Sequence, residues 1–207
     1  KADVAIGTRL SDLNGTDSGS VFVVFGKTTS TTVNLSSLGT GGYRIGGADG
    51  GDLSGYSIAA AGDVNGDGLS DLILGAPGAD PDGVAAGAAY VVYGKASTAA
   101  INLGTLGAGG FRIGGEADGD LAGRSVAVVG DVNGDGIADF LVGAPGNDET
   151  GQDAGAVYLV FGRAGGFGNV SITELTEGAL RLTGMQAGDS LGQAVAAAGD
   201  LNGDGPT

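Results

Sequence analysis

Short apolar runs, broken by glycine and small polar residues, recur along this chain in a fixed order. Ser57–Asp63 (S-I-A-A-A-G-D) matches Ser125–Asp131 (S-V-A-V-V-G-D) and Ala194–Asp200 (A-V-A-A-A-G-D). Leu72–Pro77 (L-I-L-G-A-P) matches Phe140–Pro145 (F-L-V-G-A-P), with Val4–Thr8 (V-A-I-G-T) as a degenerate first copy. Then come Ser20–Gly26, Ala88–Gly94 and Ala156–Gly162, rich in Val, Tyr and Phe. Tyr43–Gly46, Phe111–Gly114 and Leu180–Gly184 close the series, each carrying an arginine. Runs of about five to seven residues bounded by Gly, Asp, Asn and Ser predict strands joined by turns. The runs are nearly continuous rather than alternating, which predicts strands covered on both faces. Glycine interrupts every window before a stable helix forms. Four short buried strands per period predict an all-β chain of propeller blades, with the small-residue first strand innermost.

Between the first and second segments of each period lies a polar loop. D-V-N-G-D-G-L-S-D at Asp63–Asp71 returns 68 residues later as D-V-N-G-D-G-I-A-D at Asp131–Asp139, and D-L-N-G-D-G begins at Asp200. Such a period predicts an array of supersecondary units, with repeats near 1–68, 69–136 and 137–205 of one segment spanning 1–207. Oxygen-bearing side chains at alternate loop positions predict a site for a hard cation. In the complete loops these are Asp63, Asn65, Asp67 and Asp71, and Asp131, Asn133, Asp135 and Asp139, with the carbonyls of Leu69 and Ile137 as further donors. An all-oxygen, charged and flexible loop favours Ca2+ over magnesium. An EF-hand loop needs a carboxylate at its twelfth position, where this chain has Leu74 or Val142. A cluster of Asx turns without metal is the competing reading, disfavoured because carboxylates so close together repel one another.

The ends carry partial loops. Lys1-Ala2-Asp3 aligns with Leu69-Ser70-Asp71, and Asp200, Asn202 and Asp204 form a loop lacking its last aspartate. About three blades is below the four to eight of a closed propeller. The expectation is a fragment of a longer chain, or a piece whose half-loop at Asp200–Asp204 meets Asp3 of another copy.

Composition narrows the function classes. Net charge is −15, from 24 acidic and nine basic residues, so nucleic acid and anionic lipid are not expected partners. No apolar run reaches membrane-spanning length. Cysteine, histidine and tryptophan are absent, which removes disulfides, thiolate zinc sites and histidine-based triads. No nucleophile–base arrangement emerges, so catalysis is not expected. Forty-six glycines against four prolines fit many tight turns. The acidic turns at Asp49/Asp52 and Glu116/Asp118/Asp120 are expected to be solvated or to serve as outer metal ligands. Arg44, Arg112 and Arg181 are expected to form a ladder facing them. The loops 79–87 and 147–155 vary most between periods and are the expected recognition surface.

The segments G-x-S-V-A-x-x-G-D, D-V-N-G-D-G-x-x-D and L-V-G-A-P, followed by G-A-V-Y-L-V-F-G, resemble FG-GAP repeats, the blades of integrin-α-like β-propellers and of related bacterial surface proteins. The resemblance covers essentially the whole chain and implies calcium at Asp63, Asn65, Asp67, Leu69 and Asp71, and at Asp131, Asn133, Asp135, Ile137 and Asp139. The Phe-Gly pair that names the family appears here as Ser54-Gly55, Ala122-Gly123 and Leu191-Gly192. The expected role is a calcium-binding adhesion or protein-interaction segment, extracellular or at the cell surface. Its partner would be a protein or glycan ligand or another copy of itself. The alternatives are an accessory module of a secreted hydrolase or lyase and a self-assembling structural subunit.

Overall fold

The computed structural model describes residues 1–81 and 83–203. The first sheet contains β1 (Val4–Gly7), β2 (Ser20–Val24) and β3 (Gly42–Gly46). The middle sheet is built from β4 (Ser57–Gly62), β5 (Asp71–Ala76) and β6 (Ala88–Val92). The short β7 (Ile101–Asn102) follows, then β8 (Gly110–Gly114), which completes the middle sheet. The last sheet holds β9 (Ser125–Gly130), β10 (Asp139–Ala144) and β11 (Ala156–Val160), with β12 (Val170–Ser171) interposed before its outer strand β13 (Ala179–Thr183). Sequential strands pair antiparallel within each sheet, and no α-helix occurs among the described residues. The all-β reading therefore holds, as three sheets of an open, partial propeller.

Both faces of the middle sheet are buried, for a reason visible in the strand period. Ile73 and Val91 point into one core with Phe111, Phe140, Val142 and Tyr158 of the last sheet's side. Their neighbours Leu74, Tyr90 and Val92 point the other way, into a core with Val21, Val23 and Ile45 of the first sheet. A strand between two apolar layers has no solvent face, so its sequence does not alternate.

The inner strands explain the repeated glycines. Each second strand carries the glycine of its G-A-P or G-T-R segment, and the backbone of the following unit presses against it. A Cβ built on Gly75 would stand 1.8 Å from the Gly123 carbonyl oxygen, on Gly143 2.1 Å from that of Gly192, and on Gly7 2.2 Å from that of Gly55. Gly55, Gly123 and Gly192 themselves have φ near +80 to +90° (81°, 81° and 93°), a region that L side chains avoid. Beside two of these contacts a serine pins the units together: Ser57 Oγ donates to Gly123 O at 2.9 Å, and Ser125 Oγ to Gly192 O at 2.7 Å.

A second link between sheets was not legible in the strand pattern. β7 leaves the middle sheet's connection and pairs in parallel with β3, Ile45 opposite Ile101. β12 does the same to β8, Val170 opposite Ile113. Each unit thus lays a short strand on the outer edge of the preceding one. The segment 194–200, expected as an inner strand, has no strand structure, and among the described residues β1 pairs only with β2.

Candidate metal centre

The two complete loops are hairpins joining β4 to β5 and β9 to β10, so both sit at one end of their sheets. The connections β5–β6 and β10–β11 lie at the opposite end, where Ala76 pairs with Ala88 and Ala144 with Ala156. Positive φ at Gly66 and Gly68, 80° and 85°, curls the first loop, and Gly134 and Gly136 repeat it at 80° and 86°.

The loop amides turn toward the side chains. Asp63 Oδ1 accepts from the amides of Gly66 at 2.7 Å and Asp67 at 3.0 Å, while Oδ2 accepts from Gly68 at 2.8 Å. Asn65 Oδ1 accepts from the Asp67 amide, its Nδ2 donates to Asp67 Oδ2, and Asp67 Oδ1 accepts from the Leu69 amide. The second loop repeats every bond, through Asp131, Asn133, Asp135 and Ile137. The ninth residue is anchored differently. Asp71 is 1% exposed and accepts from the amides of Val64 and Gly94; Asp139 is 0% exposed and accepts from Val132 and Gly162. This carboxylate ties the loop both to itself and to the start of the β6–β8 or β11–β13 connection.

These contacts are Asx-turn contacts. Among the described residues no group of three His, Cys, Asp or Glu side chains closes into a metal-holding cluster, so the expected convergence of the carboxylates is not displayed. The donor set nonetheless fits a hard cation. The ligating groups in each loop are oxygens, the carboxylate oxygens that accept a single bond, such as Asp63 Oδ2 and Asp67 Oδ1, retain a second lone pair, and Asp63 and Asp67 are exposed. Amide hydrogen bonds, that of Gly68 foremost, hold the Asp63 carboxyl below its ordinary range and keep it charged. Burial pushes Asp71 up against its amide bonds, and the charges of Asp67 and Asp63 push it further. That like-charge strain is what a bound cation relieves.

The half-loops are less complete. Asp3 accepts from the Gly26 amide at 2.8 Å, as Asp71 does from Gly94. Asp200 accepts from Gly203 at 2.7 Å, as Asp63 does from Gly66. Asn202 lies in the same turn, and Asp204 falls outside the described residues.

The other end of the sheets corrects two expectations. Asp52 and Asp120 are not solvated: they are 5% and 2% exposed. Asp52 Oδ2 accepts from the Asp49 amide, and Asp120 Oδ2 from the Ala117 amide and Asn147 Nδ2. Burial raises both carboxyls. They close the tight turn that precedes each inner strand, which is why the periodic carboxylate is inside. The arginines do not form a uniform ladder either. Arg181 pairs with Glu116 at 2.8 Å and with Glu149, whereas the Nε atoms of Arg44 and Arg112 are buried without a hydrogen-bond partner.

Glu116 meets both a tyrosine hydroxyl and an arginine. It accepts from Tyr158 Oη at 2.6 Å and from Arg181 Nη1. Burial opposes its ionisation, but the Tyr158 and Arg181 bonds and the arginine's charge outweigh burial and hold its carboxyl below the ordinary 4.5. A depressed folded-state value means that this stabilisation is present above the ordinary glutamate range and disappears as pH falls through the depressed value. Glu116→Gln is therefore expected to lower stability at neutral pH by about 1 kcal/mol, discounted for partial exposure. Melting the pair of proteins across pH checks this: their difference should close in acid, and a pH-independent difference would contradict it.

With that geometry established, comparison with known proteins adds the family. Residues 54–92 and 122–160 match the FG-GAP repeat family. The chain is 38% identical over 125 residues to integrin alpha-PS2 of Drosophila melanogaster, a stretch covering 58% of this chain and 8% of that protein. It is 31% identical over 156 residues to integrin alpha-V of Gallus gallus, covering 73% of this chain and 13% of that one. It is also 30% identical over 151 residues to the phosphatidylinositol-glycan-specific phospholipase D of Dictyostelium discoideum, covering 69% and 16%. The chain thus spans a small fraction of the length of these relatives. The matched stretches 54–92 and 122–160 each begin at the residue before the positive-φ glycine, run through the cation loop and the close-packed G-A-P glycine, and end with the third strand. The chain is an integrin-like FG-GAP repeat protein with β-propeller blades.

Proposed function

We propose that this chain is a calcium-binding propeller segment of an extracellular or cell-surface protein that acts in adhesion or protein interaction. The observation that carries the reading is the duplication of the loop. Two hairpins 68 residues apart present the same oxygen donors on the same turn, with matching bonds within 0.1 Å of each other. Asp63, Asn65, Asp67, Leu69 and Asp71 would hold one ion, and Asp131, Asn133, Asp135, Ile137 and Asp139 the other. Asp3, Asp200, Asn202 and Asp204 belong to partial sites. Bound calcium would neutralise the loop carboxylates and fix the hairpin, and it would act on stability rather than on any reaction. Extracellular calcium is millimolar, enough to fill sites of roughly 10⁻⁴–10⁻³ M. The integrin relatives support the adhesion part of the reading. Recognition falls to the loops at the opposite end, 79–87 and 147–155, carried on the sheets.

Isothermal titration of the calcium-free chain tests the reading. Two equivalent ions per chain are expected, with one lost in Asp63→Ala; no heat above dilution would overturn it.

A second reading, an accessory module beside a catalytic domain, is supported by the similarity to the Dictyostelium phospholipase D. The parent reading frame distinguishes the two: an adjoining hydrolase domain favours the accessory role, further repeats or an anchor the adhesive one.

A further inference from the structure

The two clefts between adjacent sheets are built on one plan, each with a cavity, of ≈ 260 and ≈ 380 Å³, but only the smaller carries a carboxylate between its tyrosine and arginine. Between the middle and last sheets, the Glu116 carboxylate lies against Tyr158 Oη and Arg181. Sixty-eight residues earlier the same positions are Ala48, Tyr90 and Arg112. Tyr90 and Arg112 are kept; the carboxylate between them is not. Ala48, Asp49, Asp52, Asp80, Tyr90 and Arg112 line the resulting cavity of ≈ 380 Å³ between the first and middle sheets.

Several observations mark this cavity as a place for an anion. The Arg112 Nε is buried with no hydrogen-bond partner, and Arg112 has no ion pair among the described residues. Arg181, by contrast, has two carboxylates; the second, Glu149, is replaced by Pro81 beside Arg112. A guanidinium with buried, unpaired N–H carries an unfavourable desolvation that a carboxylate removes through charge-assisted bonds. Burial, then the charge of Asp52, pushes the Tyr90 hydroxyl up to about 12 against the charge and hydrogen bond of Arg112, so Tyr90 is protonated at neutral pH. The rim is fixed, since the Arg112 amide donates to Asn169 Oδ1 at 2.9 Å. The acids nearby do not forbid an anion. Asp52 is engaged by the Asp49 amide and Asp80 by that of Ala85. Their counterparts Asp120 and Asp148 flank Glu116, which is held ionised all the same.

We propose that the cleft between the first and middle sheets is a binding site for a glutamyl carboxylate of a partner polypeptide. The partner's carboxylate takes the position that Glu116 fills in the neighbouring cleft, accepting from Tyr90 Oη and the Arg112 guanidinium. A glutamyl group is favoured over other carboxylates because the internal occupant of the equivalent cleft is itself a glutamate side chain. Exposed Asp49 and Asp80 stand at the mouth, on the loop end already assigned to recognition. The inference rests on that assignment and gives it a ligand chemistry.

The test follows the arginine Nε–H resonances of the whole chain in millimolar calcium while N-acetylglutamate N-methylamide is added. A saturable shift at Arg112, with Arg181 unmoved, is expected, and the glutamine analogue should produce none. Ala48→Glu supplies the missing carboxylate from within and should weaken binding tenfold or more while raising the melting temperature. Should that variant not fold, Arg112→Gln serves instead, with binding read from the backbone amide of the cavity-lining Asn169, whose saturable wild-type shift it should abolish. No saturable shift, an equal shift from the glutamine analogue, or wild-type binding in Arg112→Gln would overturn the proposal. Saturation by glucuronate but not by the glutamate amide would overturn the polypeptide assignment. The readout does not depend on counting calcium, so a chain that binds no calcium yet shows the shift would refute the calcium reading alone.

Discussion

Replacing Gly75 with alanine is expected to destabilise the chain by about 3 kcal/mol or more, enough to leave much of it unfolded at moderate temperature. Gly75 has ordinary strand geometry, so the cost is not conformational. Its added methyl would lie 1.8 Å from the Gly123 carbonyl oxygen and 2.4 Å from Ser57 Oγ. Neither atom is the tip of a flexible chain: the first is backbone at a tight turn, and the second is already committed to Gly123 O. Relief requires the last sheet's inner turn to retreat from the middle sheet, opening the apolar core they share. Gly143→Ala should behave likewise through Gly192 O. Gly168→Ala is the control, because a Cβ there meets nothing within 4 Å. Urea unfolding of the three variants checks the ranking; a Gly75→Ala protein as stable as Gly168→Ala would contradict the packing described.

Asp139→Asn is expected to cost about 2–4 kcal/mol and to lower the melting temperature by on the order of 10 °C. The substitution conserves volume and changes only which atoms accept. Asp139 is fully buried, with one oxygen on the Val132 amide and the other on the Gly162 amide. An asparagine serves one of these and sets its own NH2 against the other, leaving donor facing donor in the interior. The same change removes the ninth-position oxygen and its charge from the proposed ion site, so the loss should be larger in calcium than in chelator. Thermal melts in both media read the two contributions separately. A variant equally stable in both media as wild type would contradict the double anchoring.

The strand order and the burial of both sheet faces were legible because they follow from residue size and period. Runs such as L-I-L and A-Y-V-V leave no position for solvent, and Ile73 and Leu74 do enter two different cores. The loop was legible from spacing, and the structure places it as a hairpin at one end. What the sequence obscured was chemistry decided by distant neighbours. Asp52 and Asp120 read as surface turns, yet each is enclosed by the turn it closes. Arg44, Arg112 and Arg181 look alike in sequence, but only Arg181 meets Glu116 and Glu149 across the period. The parallel latches at Ile101–Asn102 and Val170–Ser171 are too short for any strand pattern. Their one trace is the recurrence of V-N-L at 33–35, I-N-L at 101–103 and V-S-I at 170–172. The glycine of the altered Phe-Gly pair survives at Gly55, Gly123 and Gly192 because only there do positive φ and contact with the G-A-P glycine coincide.

The most direct measurement of the central claim is the melting temperature of the intact chain in millimolar calcium and again in excess chelator. For sites of roughly 10⁻⁴ M, binding to the folded form alone supplies about 1.4 kcal/mol per loop. Two complete loops then predict a drop of several degrees in chelator, restored when calcium is added back and unaffected by the same concentration of sodium. Identical melts in calcium and chelator would contradict the claim that cations brace these hairpins.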